Sequence, residues 1–214
     1  MQTWARRYRN PHKNHWSLWS IDVLTQKANR KSRKSIRLYG SKLLEIDTLY
    51  TNRLRIAEKP GLIRVLAIFF AHSGDSWFWI LGLGLLWWLG DEYWRLRAGI
   101  MLLSILATAI LVMLIKFTVR RKRPVGEWGE IYRKTDPHSF PSGHSARAFM
   151  LSTLALGLGP SWLGILLFAW APLVILSRVA MGVHYLSDVL IGAMIGILIG
   201  LVILGSIPLL PFPV

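Results

Sequence analysis

The sequence predicts an all-α membrane protein, a polytopic helix bundle of about five spans. Three observations lead there. Apolar residues make up 53% of the 214 positions and the mean hydropathy is positive, at +0.39. These residues concentrate after about residue 60 in charge-free runs approaching the ~20 residues that cross a hydrocarbon core as helix. Several of the 11 Trp residues fall at or near the ends of those runs, where an amphipathic ring sits best at headgroup level.

The spans are expected near Trp77 to Leu89, Ala98 to Ile115, Ala148 to Leu158, Trp162 to Leu176 and Val189 to Leu204, each extended by flanking residues. Trp77, Trp79, Trp87, Trp88, Trp94 and Trp162 are the expected interfacial anchors. Gly61 to Ala71 is apolar as well, but it is short, carries Arg64 and runs into His72-Ser73-Gly74-Asp75, so it reads as interfacial or re-entrant.

The first 60 residues contain no apolar run of the roughly 7–15 residues that a secretory signal needs, and a cytosolic N-terminus is expected. Residues 1–60 read as a basic arm, cytosolic or interfacial, and 61–214 as the membrane-embedded domain. Of the 26 Lys and Arg residues, 15 lie at or before Arg64, against Asp22, Glu45, Asp47 and Glu58. Such an arm suits anionic headgroups; nucleic-acid binding has no fold or motif behind it. With five spans, the arm shares one membrane face with the Lys116 to Ser145 loop and the Arg178 to Asp188 turn. Positive charge stays cytoplasmic, which places the N-terminus and the polar motifs on the cytosolic side. Cysteine is absent, so thiolate nucleophiles, thiolate metal sites and disulfides are excluded.

Three polar clusters sit at the mouths of these helices, although a charge at bilayer depth costs roughly 2.5–3.5 kcal/mol on insertion scales. The first is Lys116-x6-Arg123-Pro124, which taken alone reads more readily as a basic stop-transfer anchor. The second, Ser139-Phe140-Pro141-Ser142-Gly143-His144-Ser145, is a Ser-Gly turn entering a helix. Its backbone N–H groups and helix dipole favour an anion, while the plainer reading makes Ser142 or Ser145 an N-cap. His144 beside such an anion is able to protonate a leaving group near neutral pH. The third is Ser177-Arg178-x5-His184-x3-Asp188. On a helix, His184 and Asp188 at i and i+4 share a face, so the carboxylate takes one ring nitrogen and leaves the other as a nucleophile; a structural His–Asp pair is the alternative. Jointly the clusters place two His, an Asp and the cations Lys116, Arg123 and Arg178 on one face, a set that suits a phosphoryl group.

In these motifs the sequence resembles the type 2 phosphatidic acid phosphatases, which share an active site with vanadium haloperoxidases. Lys116 to Pro124, Pro141 to His144 and Ser177 to Asp188 match the family's three motifs, over roughly residues 60 to 205. The resemblance implies a haloperoxidase-like core and a lipid phosphate phosphatase. It implies His184 as nucleophile forming a phosphohistidine, Asp188 orienting it and His144 as general acid. Lys116, Arg123, Ser142, Gly143 and Arg178 would bind phosphate, with no metal and no cofactor.

Many bacterial members have six spans and a site facing away from the cytosol, whereas this chain lacks an obvious first span. That departure, with Lys116-x2-Val-Arg-Arg-x-Arg-Pro124, Arg147 near the second motif and Gly182 before His184, looks more like the polyisoprenoid diphosphate phosphatase branch. An isoprenoid diphosphate or monophosphate is the favoured substrate, with phosphatidic acid as alternative. A soluble-type haloperoxidase fits poorly with the spans. A non-catalytic lipid-binding protein fits poorly with two retained His. Gly192-x3-Gly196-x3-Gly200 permits close helix approach within the chain, the favoured reading, or between two copies in a homo-oligomer.

Overall fold

The computed structural model of the chain describes residues 41–207, so the basic arm as far as residue 40 and the residues after 207 lie outside the described residues. Residues 41–46 are helical and close one compact unit; the other begins at Asp47 and holds everything below. Its first element, α1, covers 47–54. There follow α2 (Leu62–Ser73), α3 (Ser76–Leu89), α4 (Glu92–Val119), α5 (Glu127–Arg133), α6 (Gly143–Leu158), α7 (Ser161–Ala180) and α8 (Leu186–Ser206). No strand is found among the described residues, and the all-α architecture agrees with the sequence expectation.

All five expected spans fall on helices. By length and composition α4, α7 and α8 each suffice to cross a membrane, and α2 with α3 suffices as a pair bent by 51° at the Gly74–Asp75 break. A count of five is therefore approximate. At 16 residues α6 is about 24 Å long at ~1.5 Å per residue, and it spends that length inside the bundle. Its Met150, Leu151 and Leu154 are fully buried and meet Met101 and Ile105 of α4 in the main apolar cluster. By contrast α4 and α8 are apolar all round, with Leu103 70% and Met194 64% exposed. A helix that turns apolar side chains outward needs a hydrocarbon solvent. Trp77, Trp87, Trp88 and Trp162 point outward as anchors should, whereas Trp79 turns in against Trp170, ring centroids 5.2 Å apart.

Local chemistry fixes the helix ends. Asp91 caps α4, its Oδ1 accepting from Trp94 N at 3.0 Å. At the other end Arg120 adopts the left-handed conformation (φ 53°), which stops the helix and turns the chain toward Arg121 and Arg123. The start of α8 is capped from α1: Thr51 Oγ1 accepts from Leu186 N at 3.0 Å and Asp47 Oδ1 from Ser187 N at 3.0 Å. Two first-turn N–H groups that have no intrahelical partner are thereby satisfied.

The glycine stripe of α8 packs against α6. A Cβ on Gly192 would lie 2.5 Å from Ser142 O, one on Gly196 2.1 Å from Ala146 O, and one on Gly200 2.7 Å from Thr153 Cβ. Backbone cannot yield as a side-chain tip does. Gly196→Val is expected to cost about 1–3 kcal/mol or more through overpacking, seen as a lower Tm in detergent. An unchanged Tm would mean that the stripe does not need its close approach to α6.

Candidate active site

The three sequence clusters converge on one cavity of about 600 Å³, lined by Lys116, Arg123, Gly143, His144, Arg178 and His184 together with Asp75, Tyr132, Asp136 and Arg147. Its remaining wall is mostly apolar, from Ile105, Ala109, Val112 and Met113 of α4 and from Trp77, with Ser76 and Thr108 as its polar members. A larger cavity of about 720 Å³ is walled by residues such as Leu83, Met101 and Leu163 and contains none of the motif residues, which suits acyl-chain space rather than chemistry.

His184 is 1% exposed and sits in the turn between α7 and α8, one residue ahead of the α8 N-cap Tyr185. The expected i, i+4 pairing on a helix face is therefore corrected. Asp188 occupies the first turn of α8 and His184 precedes the helix, brought back by the turn at Gly182 (φ 67°). The pair still meets, with His184 Nδ1 3.6 Å from Asp188 Oδ2, too long for a hydrogen bond. On its other side His184 Nε2 is 3.2 Å from Arg123 Nη1. A guanidinium only donates, so Nε2 carries the lone pair and the neutral ring's proton is on Nδ1, toward Asp188. Burial first, then the charges of Arg123, Arg178 and Lys116, hold His184 well below the ordinary imidazole range, and the ring is neutral at pH 7.

Asp188 is fully buried and held from two directions. Its Oδ2 accepts from Tyr185 N at 2.9 Å and its Oδ1 from Arg121 Nη1 at 2.8 Å. Arg121 is itself fixed by Asp47 Oδ2 at 2.6 Å and lies 3.8 Å over the Tyr185 ring.

Lys116 and Arg123 both donate to Asp136 Oδ2, Arg123 Nη2 at 2.8 Å. Burial raises the Asp136 carboxyl, but the Lys116 hydrogen bond and the Lys116 and Arg123 charges outweigh it and hold the group below the usual range. Arg123 is further fixed by Asp136 O at 2.7 Å and Val183 O at 3.0 Å. Arg178 is 0% exposed. Its Nη1 donates to Tyr132 Oη at 3.2 Å and its guanidinium lies 4.7 Å over that ring, while Nε has no hydrogen-bond partner among the described residues.

The second cluster divides its work. Ser142 is fully buried, does not line the cavity and caps α6, accepting from Ser145 N at 3.4 Å and Ser145 Oγ at 3.0 Å. Its own N–H donates to Asp188 O at 2.9 Å, which ties the start of α6 to α8. Gly143 and His144 in the next two positions face the cavity.

The model of the PAP2 superfamily matches residues 97–209, the part of the chain that carries all three motifs. The chain belongs to the PAP2 superfamily. Similar proteins include an undecaprenyl-diphosphatase from Sulfolobus acidocaldarius, 31% identical over 151 residues, 68% of this chain and 69% of that one. A lipid A 1-phosphatase from Porphyromonas gingivalis is 36% identical over 88 residues, 40% of this chain but 18% of that longer protein. Among solved structures, Aquifex aeolicus LpxE superposes with a TM-score of 0.58 at 26% identity, covering 72% of this chain and 93% of LpxE. A transmembrane PAP2 type phosphatidylglycerolphosphate phosphatase from Bacillus subtilis superposes with a TM-score of 0.65 at 24% identity, covering 80% and 90%, and shares the fold.

Around this PAP2 core stand residues that motif spacing does not single out: Asp75, Asp136, Arg121 and Asp47. Each reaches the site across a long sequence separation. Asp75 carried a faint signal, an acid directly before the Ser76-Trp77 helix start. Asp136 and Asp47 carried none.

Proposed function

We propose that this PAP2 protein hydrolyses lipid phosphates, with an isoprenoid diphosphate or monophosphate as favoured substrate, through a phosphohistidine on His184. The observation that carries the reading is the unprotonated Nε2 of His184, 3.2 Å from Arg123 Nη1 in a cavity ringed by Lys116, Arg123 and Arg178. Three cations bind the equatorial phosphoryl oxygens, with backbone N–H at Gly143 and His144 adding the helix dipole. The substrate phosphate displaces Asp136 from Lys116 and Arg123.

His184 Nε2 then attacks phosphorus while the bond to the lipid oxygen breaks and His144 protonates that oxygen. Water cleaves the P–N bond and frees phosphate. Charge neutralisation by fixed cations supplies what a metal supplies elsewhere, so the reaction proceeds without one. The apolar wall of α4 and Trp77 accommodates the first part of the lipid chain, and little beyond phosphate and chain is recognised. The undecaprenyl-diphosphatase relative, aligned over two-thirds of both chains, supports the isoprenoid preference. Excess Lys and Arg on the motif face support a cytoplasmic site.

The test is phosphate release by the purified protein in detergent with EDTA present, across farnesyl diphosphate, a long polyprenyl phosphate and phosphatidic acid. Metal-independent release ranked isoprenoid over glycerolipid is expected. Faster release from phosphatidic acid would reverse the substrate choice, and no release from any lipid would leave a lipid-binding protein.

A further inference from the structure

Asp75 stands where an N-cap should, at the start of α3, yet its side chain makes no capping hydrogen bond. Its carboxylate is used elsewhere. Oδ1 accepts from His144 Nε2 at 2.7 Å, while Oδ2 faces His72 Nδ1 at 3.6 Å. Giving up a cap forgoes helix stability, so the contact with His144 stands in place of the capping bond this residue type ordinarily makes.

The neighbouring residues hold this contact in place. Arg147, one turn after His144 on α6, donates from Nε to Gly74 O at 3.0 Å and from Nη2 to the same oxygen, while its Nη1 donates to Ser76 Oγ. The guanidinium thus grips both sides of Asp75. Gly74 closes the remaining gap: a Cβ there would lie 2.9 Å from Val174 Cγ1 and 3.4 Å from His144 Cδ2. The break between α2 and α3 is pressed onto the imidazole by residues of α6 and α7.

We infer that Asp75 is the positioning residue of the proton-transfer step, fixing His144 with Nε2–H on the carboxylate and Nδ1 turned to the departing lipid oxygen. This rests on the phosphatase reading above. His144 enters the step as the imidazolium, protonated on both nitrogens; as His184 Nε2 bonds phosphorus and the P–O bond of a phosphate monoester breaks, the Nδ1 proton passes to the lipid oxygen, which leaves as a neutral alcohol. Nδ1 then takes a proton from the water that cleaves the P–N bond. The Nε2 proton stays on the ring, donated to Asp75, which remains ionised throughout. His144 is also faced by Arg147 from its own helix and Arg178 from α7, with His72 beyond Asp75. Asp75 is the carboxylate that faces the imidazole among these cations.

The test compares kcat/KM for phosphatidic acid, whose leaving group is a poor alkoxide, with that for p-nitrophenyl phosphate, whose leaving group departs without a proton. Asp75→Asn and Asp75→Ser both retain good N-cap residues, so neither weakens the start of α3. Each is expected to lose on the order of 10²-fold on phosphatidic acid and less than about five-fold on p-nitrophenyl phosphate. In a His144→Ala background the same substitutions are expected to change neither value. Equal losses on both substrates, or a full further loss without His144, would overturn the inference as a structural effect. Wild-type protein inactive on both substrates would overturn the phosphatase reading and this inference with it.

Discussion

His184→Ala is expected to lower kcat by at least about 10⁴-fold on every lipid the protein turns over, the loss that follows removal of a nucleophile acting within a catalytic unit. The expectation has a structural basis beyond the motif. His184 is buried between a guanidinium that leaves Nε2 unprotonated and a carboxylate that faces Nδ1, so no other nitrogen in the cavity combines a lone pair with that position. The fold should tolerate the change. Arg123 keeps its bonds to Val183 O and to Asp136 O and Oδ2, so the cation ring persists. Phosphate release measured beside thermal protection by inorganic phosphate separates the two effects. Release is lost and protection remains; loss of both would point to collapse of the site.

Arg178→Met is expected to lower kcat/KM by about 10³-fold while leaving Tm unchanged or raising it. Under the proposed mechanism the activity loss follows from removing a fork that stabilises developing phosphoryl charge. The stability result follows from burial. Arg178 is 0% exposed, no carboxylate lies within ion-pair distance among the described residues, and its Nε has no hydrogen-bond partner there. Burying an unpaired ion costs several kcal/mol, whereas its stacking on Tyr132 returns about 2 kcal/mol. Desolvation dominates, so an apolar side chain of similar length is the better structural residue. Thermal unfolding in detergent checks this, and a large drop in Tm would show Arg178 to be structural.

The three motifs were legible because each lies at a helix mouth, where a run of apolar residues ends and a charged or polar residue has no reason to be unless it is used. Lys116, Arg123, Gly143, His144, Arg178 and His184 accordingly share one cavity. The partners were not legible. Asp75, Asp136 and Asp47 lie 69, 20 and 140 residues from groups they bond, His144, Lys116 and Ser187. No local period encodes such contacts. His184 and Asp188 meet by a different geometry from the expected one, because spacing of four also fits a turn that feeds a helix whose first turn holds the acid. Ser142 followed its plainer reading as a cap. The span count blurred at α6 for a physical reason: a helix whose Ala146, Ser152 and Ala155 are covered by neighbours need not be long or strongly apolar to sit inside a membrane bundle.

The central claim is a covalent bond from phosphorus to Nε2 of His184. Rapid acid-free quenching of the protein with a ³²P-labelled lipid phosphate, followed by peptide mass spectrometry, tests it most directly. The expected result is a base-stable, acid-labile phosphoryl group on His184 that forms within one turnover, decays at the rate of phosphate release and is absent from His184→Ala. Single-turnover phosphate release with no labelled protein, or label on another residue in the wild type, would contradict the account.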